Sequence, residues 1–243
     1  MSLACSSIAR TRIPLVVAAL SAIIVALPLL AIRAPAAERA VVIPQPAIDI
    51  ADTDTPQTIV LAGGCFWGIQ AVFQHTKGVT RAISGYTGGS AATADYDRVS
   101  TGRTGHAEAV EITFDPKIVS YGRLLQIFFS VAHNPTHRNR QGADIGTQYR
   151  SAIFVRNDDQ ARVAKAYIKQ LDTTKAFPRP IATVVTSLKE FYPAEDVHQD
   201  YFTLNPEQPY IIFIDRPKVD NLKKLFANDY RDEPVLVSAS ATN

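Results

Sequence analysis

Two cysteines, one methionine and one tryptophan are all that 243 residues contain of those types, and the first of these scarcities narrows the chemistry most. Cys5 lies ahead of a long apolar run near the N-terminus, so the domain that follows holds a single thiol, Cys65, and cannot form an intramolecular disulfide. The formal net charge is only +2 and no run of Lys or Arg occurs, which excludes an extended nucleic-acid surface. Repeats of fixed period are also lacking, which excludes a solenoid or propeller.

What the chain does have at its start is Arg10 and Arg12 followed by an uncharged, almost wholly apolar stretch over residues 13–32. Basic residues before such a run, with Ala34, Pro35, Ala36 and Ala37 behind it, predict a secretory signal cleaved near Ala36 or Ala37. The stretch is also long enough to span a bilayer as an uncleaved anchor. Both readings place the remainder outside the cytoplasm, in a periplasmic or other extracytoplasmic compartment, where a lone thiol stands out as reactive. Residues 1–37 are read as signal peptide or signal anchor and residues 38–57, rich in Pro and Ala, as a linker. Residues 58–230 form one catalytic domain, and residues 231–243 are expected to be a flexible tail.

Within the domain, residues 58–62 are a short β-branched apolar run that predicts a buried strand. Gly63 and Gly64 turn the chain, and residues 66–75 continue in a helix-compatible pattern that Gly78 closes. Residues 79–86 predict a second strand, followed by a Gly-rich loop, and residues 106–114 alternate apolar and polar in the clearest strand pattern of the chain. Ser120 is placed to cap a helix reaching Ala132, with Leu124, Leu125, Phe128, Phe129 and Ala132 on one face. Residues 133–148 are polar and without period, and loops of that length in compact domains are usually functional. Strands are expected over residues 151–155 and 181–188, a helix over 158–171, and a mostly irregular tail beyond Tyr192 until a short helix at residues 219–226. Interleaved strands and helices imply an α+β fold, a mixed β-sheet with packed helices.

Cys65 falls where a strand ends at two glycines and a helix begins, so backbone N–H groups and the positive helix terminus are expected to favour its thiolate. Phe66 and the sole tryptophan, Trp67, set aromatic walls beside the sulfur. A lone cysteine is otherwise most often a buried, inert residue.

Gly64-Cys65-Phe66-Trp67-Gly68 resembles the signature of the A-type peptide methionine sulfoxide reductases. Further blocks resemble that family in its order: Gly85-Tyr86-Thr87-Gly88-Gly89, Tyr96, Gly105-His106-Ala107-Glu108-Ala109-Val110 and Asn139-Arg140-Gln141-Gly142. Residues 146–154, 191–196 and His198-Gln199 continue the likeness, which runs from about Thr58 to about Lys218. The resemblance implies an α+β fold with a ferredoxin-like sheet core and reduction of the S epimer of methionine sulfoxide, free or in proteins. By matching motif, Cys65 would attack the sulfoxide sulfur and Glu108 would protonate its oxygen. Tyr96 and Tyr149 would hydrogen-bond that oxygen, Asp144 would hold the polar side of the pocket, and Phe66 and Trp67 would hold the methyl group. No cofactor is implied, only an external thiol reductant of thioredoxin or glutathione type.

Expelling oxygen from sulfur needs a soft nucleophile on one side and proton donors on the other, and these residue types supply both. For Glu108 to donate near neutral pH, burial must raise its pKa; taken without the family blocks, Glu108 reads as one outward position of an alternating strand, and the two tyrosines as ordinary half-buried ones. His133 and His137 invite a metal reading, but Pro135 interrupts a shared helix and no second Cys supplies a soft ligand. A Cys-His hydrolase and a non-enzymatic exported binding domain are the alternatives; the first leaves Glu108 and the tyrosines unexplained, the second needs no thiol. Asn134 and Val197 depart from the family's usual Asp and Tyr, and the C-terminal resolving cysteines common in the family are missing. That last departure bears on recycling, not on reduction. A chain cleaved behind its signal would also carry no methionine of its own, since Met1 is the only one.

Overall fold

The computed structural model describes residues 39–51 and 54–240. The apolar run at residues 13–32 and the cleavage expected near Ala36 or Ala37 lie outside the described residues, and no helix among the described ones is long and apolar enough to cross a membrane.

In chain order the elements are β1 (Gln57–Gly63), α1 (Phe66–Gln74), β2 (Val79–Thr87), α2 (Tyr96–Val99), β3 (Ala107–Phe114) and α3 (Tyr121–Ile127). Then come β4 (Arg140–Gln141), β5 (Asp144–Ile145), β6 (Ser151–Val155), α4 (Asp158–Thr173), β7 (Val184–Ser187), β8 (Phe191–Pro193), α5 (Tyr201–Leu204), α6 (Arg216–Leu225) and α7 (Val237–Ser240). Six strands form one sheet in the order β7-β6-β1-β3-β2-β8. Strand β1 runs antiparallel to both β3 and β6, β2 is antiparallel to β3 and β8, and β7 joins β6 in parallel. The fold is α+β, a mixed sheet with packed helices, as the interleaved pattern predicts.

The continuous apolar character of β1 follows from its central place, because both of its faces are covered. Ile59 and Leu61 enter the main core with residues of α1, α3, α4 and α6, whereas Val60 and Ala62 join Ala107, Ala109, Ala152 and Phe154 on the other face. Side chains alternate along a strand, so the same rule sorts β3: Val110, Ile112 and Phe114 go to the main core, Ala107 and Ala109 to the second face. Glu108 shares its parity with Val110 and is 2% exposed, so the outward reading of this position is corrected.

Three further expectations are corrected. The helix capped by Ser120, whose hydroxyl accepts from Arg123 N–H at 3.1 Å, stays α-helical only to Ile127 and continues as a π-helical stretch over Phe128–Ala132. The aperiodic segment 133–148 contains the small hairpin β4–β5. Beyond Tyr192 the chain is more regular than expected: it holds α5, a π-helical stretch Ile211–Asp215 and an α6 that starts at Arg216, because Pro217 suits a helix start and Val219 and Leu222 pack below.

The segments flanking the domain are fastened to it, the first irregular and the second ending in α7. Ile43 is buried, its carbonyl accepts from Gln126 Nε2 at 2.8 Å, and Asp49 Oδ1 accepts from Gly122 N–H at 2.8 Å in the first turn of α3. At the other end Val235 N–H donates to the Gln74 carbonyl at 3.1 Å, and the N–H groups of Val237 and Ser238 each donate to the Asp200 carboxylate at 3.0 Å. Residues 231–238 therefore lie on the domain where a flexible tail was expected, because their backbone donors find buried acceptors there.

Candidate active site

Strand β1 leads into Gly64, whose φ of +104° suits glycine and whose Cβ position would lie 2.7 Å from Gln141 Cγ. This turn sets Cys65 at the N-cap of α1, with the sulfur at the mouth of the helix and the residue 9% exposed. Around it lies a cavity of about 170 Å³ lined by Cys65, Phe66, Trp67, Tyr96, Glu108, Asp144, Tyr149 and Tyr210. All seven residues singled out in the sequence thus meet at one place, drawn from α1, α2, β3, β5 and the turn Thr147–Tyr149. The volume fits the end of one side chain and is smaller than a drug-sized site of roughly 300–1,000 Å³.

Glu108 reaches the cavity from beneath, where its Oε2 accepts from Phe66 N–H at 3.1 Å in the first turn of α1. Burial pushes this carboxyl up to about 8, with Asp144 and Asp215 adding in the same direction against the Phe66 N–H bond. The proton that a general acid needs is therefore present at neutral pH. Cys65 behaves contrary to expectation: burial raises its thiol well above the usual range, and Glu108 and Asp215 push the same way. The Trp67 N–H and Lys218 work against that shift without reversing it. The helix terminus alone does not make a resting thiolate, because desolvation of the anion outweighs it.

The tyrosines stay protonated as donors. Burial first, and then the nearby acidic groups Glu108 and Cys65, raises both Tyr96 and Tyr149. Tyr96 is placed by its backbone N–H, which donates to Glu195 Oε1 at 2.9 Å, and by a tilted ring contact with His198 at 4.3 Å between ring centres. Trp67 lies flat on Tyr201, centroids 3.8 Å apart and planes 10° apart, which fixes its ring as a wall. No histidine lines the cavity. His133 and His106 are held by hydrogen bonds elsewhere, His133 to Ser151 and Phe128, His106 to Ser90 and Gly89.

Tyr210 was not foreseen. Its hydroxyl donates to Asp144 Oδ2, so it fixes that carboxylate at the cavity wall, but it sits in a stretch whose sequence shows no period. Asp215 and Lys218 were also missed, although Lys218 stands four residues before Leu222 on the buried stripe of α6, a signal a helical wheel would have shown.

The family model described as peptide methionine sulfoxide reductase matches residues 57–230. A protein of Mesorhizobium japonicum named "Peptide methionine sulfoxide reductase MsrA 2" is 60% identical over 187 residues, covering 77% of this chain and 95% of the relative. One of the same name from Synechocystis is 50% identical over 191 residues, covering 77% and 89%. Among solved structures, reduced Mxr1 from Saccharomyces cerevisiae aligns with a TM-score of 0.57 at 32% identity, covering 66% of this chain and 92% of that one. Methionine sulfoxide reductase A of Corynebacterium diphtheriae aligns with a TM-score of 0.54 at 33% identity, covering 70% and 85%.

Proposed function

Because the chain belongs to the peptide methionine sulfoxide reductase family and is an A-type enzyme of it, we propose that it reduces the S epimer of methionine sulfoxide, free and in proteins, through a Cys65 sulfenic acid. The observation that carries this reading is one cavity holding both the thiol of Cys65 and a Glu108 carboxyl that keeps its proton to about pH 8. The Cys65 sulfur attacks the sulfoxide sulfur while Glu108 gives its proton to the oxygen, and the thiol proton replaces the one Glu108 gave. Oxygen ends on Cys65, which is oxidised by two electrons, and the methionine sulfur is reduced by two, so thiol plus sulfoxide becomes sulfenic acid plus thioether.

Tyr96 and Tyr149 hold the oxygen, and Phe66 and Trp67 take the methyl group. Three unlike walls around one sulfur discriminate between epimers, and the choice of S is supported by the A-type likeness. Among the described residues Cys65 is the only cysteine, so an external thiol of glutathione or thioredoxin type must reduce the sulfenic acid through a mixed disulfide. The N-terminal basic and apolar pattern supports repair outside the cytoplasm, with membrane attachment only through that segment.

Each resolved epimer, offered with dithiothreitol, tests the reading: the S form should be consumed and the R form left. Without reductant, one equivalent of methionine and a dimedone-reactive Cys65 should appear. Equal use of both epimers, or hydrolysis of an ester in place of reduction, would sink it.

A further inference from the structure

Helix α6 opens with a lysine turned into the core. The Lys218 side chain is 5% exposed and its Nζ lies 2.9 Å from Oδ1 of Asp215, whose side chain is fully buried. A Cβ built on Gly68 would stand 2.1 Å from that Oδ1 and 2.8 Å from Nζ, so the ion pair occupies the space glycine leaves in the first turn of α1. Gly68 is the third residue after the N-cap Cys65, and side chains at those two helical positions are neighbours.

Three features here oppose stability. A buried ion pair rarely outperforms apolar packing, Asp215 Oδ2 has no hydrogen-bond partner, and glycine inside a helix is less stable than alanine because it loses more backbone freedom. Such breaches of local rules gather at functional sites. Neither residue lines the substrate cavity, so neither is placed to touch the sulfoxide.

We propose that Asp215 and Lys218 are a positioning pair for Cys65: Lys218 is the cation that compensates the sulfur when it ionises, and Asp215 occupies that cation at rest. The inference rests on Cys65 being the nucleophile. The charged and titratable groups around the sulfur are Glu108 from β3, Asp144 from β5, Tyr96, Tyr149 and Tyr210, with Asp215 and Lys218 on the α6 side. Asp215 outweighs Lys218 in its effect on the thiol, which agrees with a pair that keeps Cys65 protonated until substrate arrives.

The test is the pH profile of Cys65 alkylation by iodoacetamide, which needs no sulfoxide and therefore stands apart from the reading of the substrate. Asp215→Asn should hand the cation to the sulfur and speed alkylation at pH 7 by roughly tenfold, one unit of thiol pKa. Adding Lys218→Met to that variant should abolish the gain. A folded Asp215→Asn protein with the wild-type profile, or a double variant that keeps the gain, overturns the proposal. Should Asp215→Asn not fold, Lys218→Met alone decides, since its Asp215 can protonate. Its kcat for sulfoxide reduction should fall about tenfold with KM unchanged and be largely restored in Lys218→Arg, and a wild-type kcat in Lys218→Met refutes it. If wild-type protein reduces no sulfoxide but alkylation responds as stated, only the substrate reading fails.

Discussion

Two buried polar clusters flank the end of β1, and they answer burial in different ways. In the first, His133 Nδ1 lies 3.1 Å from the Phe128 carbonyl and Nε2 lies 2.7 Å from Ser151 Oγ, which in turn is 2.7 Å from Thr183 Oγ1. The carbonyl can only accept, so Nδ1 carries the proton and Nε2 accepts from Ser151. Burial then drives the ring down to about 3, and it remains neutral and fully engaged. In the second cluster Cys65, Glu108 and three tyrosines turn toward a cavity, and burial drives Glu108 up to about 8. Desolvation acts on both, yet only the second leaves a titrating group beside room for a ligand. A shifted pKa marks a reactive site only where the group also faces space for a substrate.

The division is tested most severely at Cys65. Cys65→Ser should abolish sulfoxide reduction in single-turnover assays while the thermal melt stays near wild type, because a hydroxyl is a far poorer nucleophile toward sulfur. Glu108→Gln should slow reduction by about 10²–10⁴-fold at pH 7 and erase the fall in wild-type rate above about pH 8. Stability should move the other way. Glu108 ionises at about 4.5 when unfolded and about 8 when folded, so the folded state holds the extra proton and wild-type stability declines between those values. Denaturant midpoints of Glu108→Gln and wild type should accordingly match near pH 4 and diverge in favour of the variant at pH 9.

His133→Leu should show the converse pattern. Leaving Ser151 and the Phe128 carbonyl unpaired costs about 1–3 kcal/mol of stability, with kcat changed by no more than about twofold below the melting temperature. The folded ring's pKa lies below its unfolded value of 6.5, so its contribution is complete above that pH and is lost as pH falls toward 3. That acid sensitivity should be weaker in the variant. If kcat fell as far as in Glu108→Gln, the two clusters would not be separate. Tyr210→Phe is the finest probe: freeing Asp144 of its donor should lower kcat/KM by about 3–10-fold, equivalent to one hydrogen bond, and an unchanged value would make Tyr210 a wall only.

The amino-acid order by itself determined the features that depend on near neighbours. Two glycines after an apolar run place Cys65 at a helix start, whereas the alternation of β3 by itself read Glu108 as outward and only the family blocks singled it out. Strand, turn and capping preferences act over a few residues, so the setting of Cys65 was legible, as was the scarcity of thiols. Tertiary structure alone decided the rest. Tyr210 meets Asp144 across 66 residues, and the Asp215–Lys218 pair reaches the first turn of α1 from the far end of the chain. The resting protonation of Cys65 was misjudged for the same reason: a helix terminus is local, but desolvation and the carboxyls of Glu108 and Asp215 arrive only when distant segments close over the sulfur.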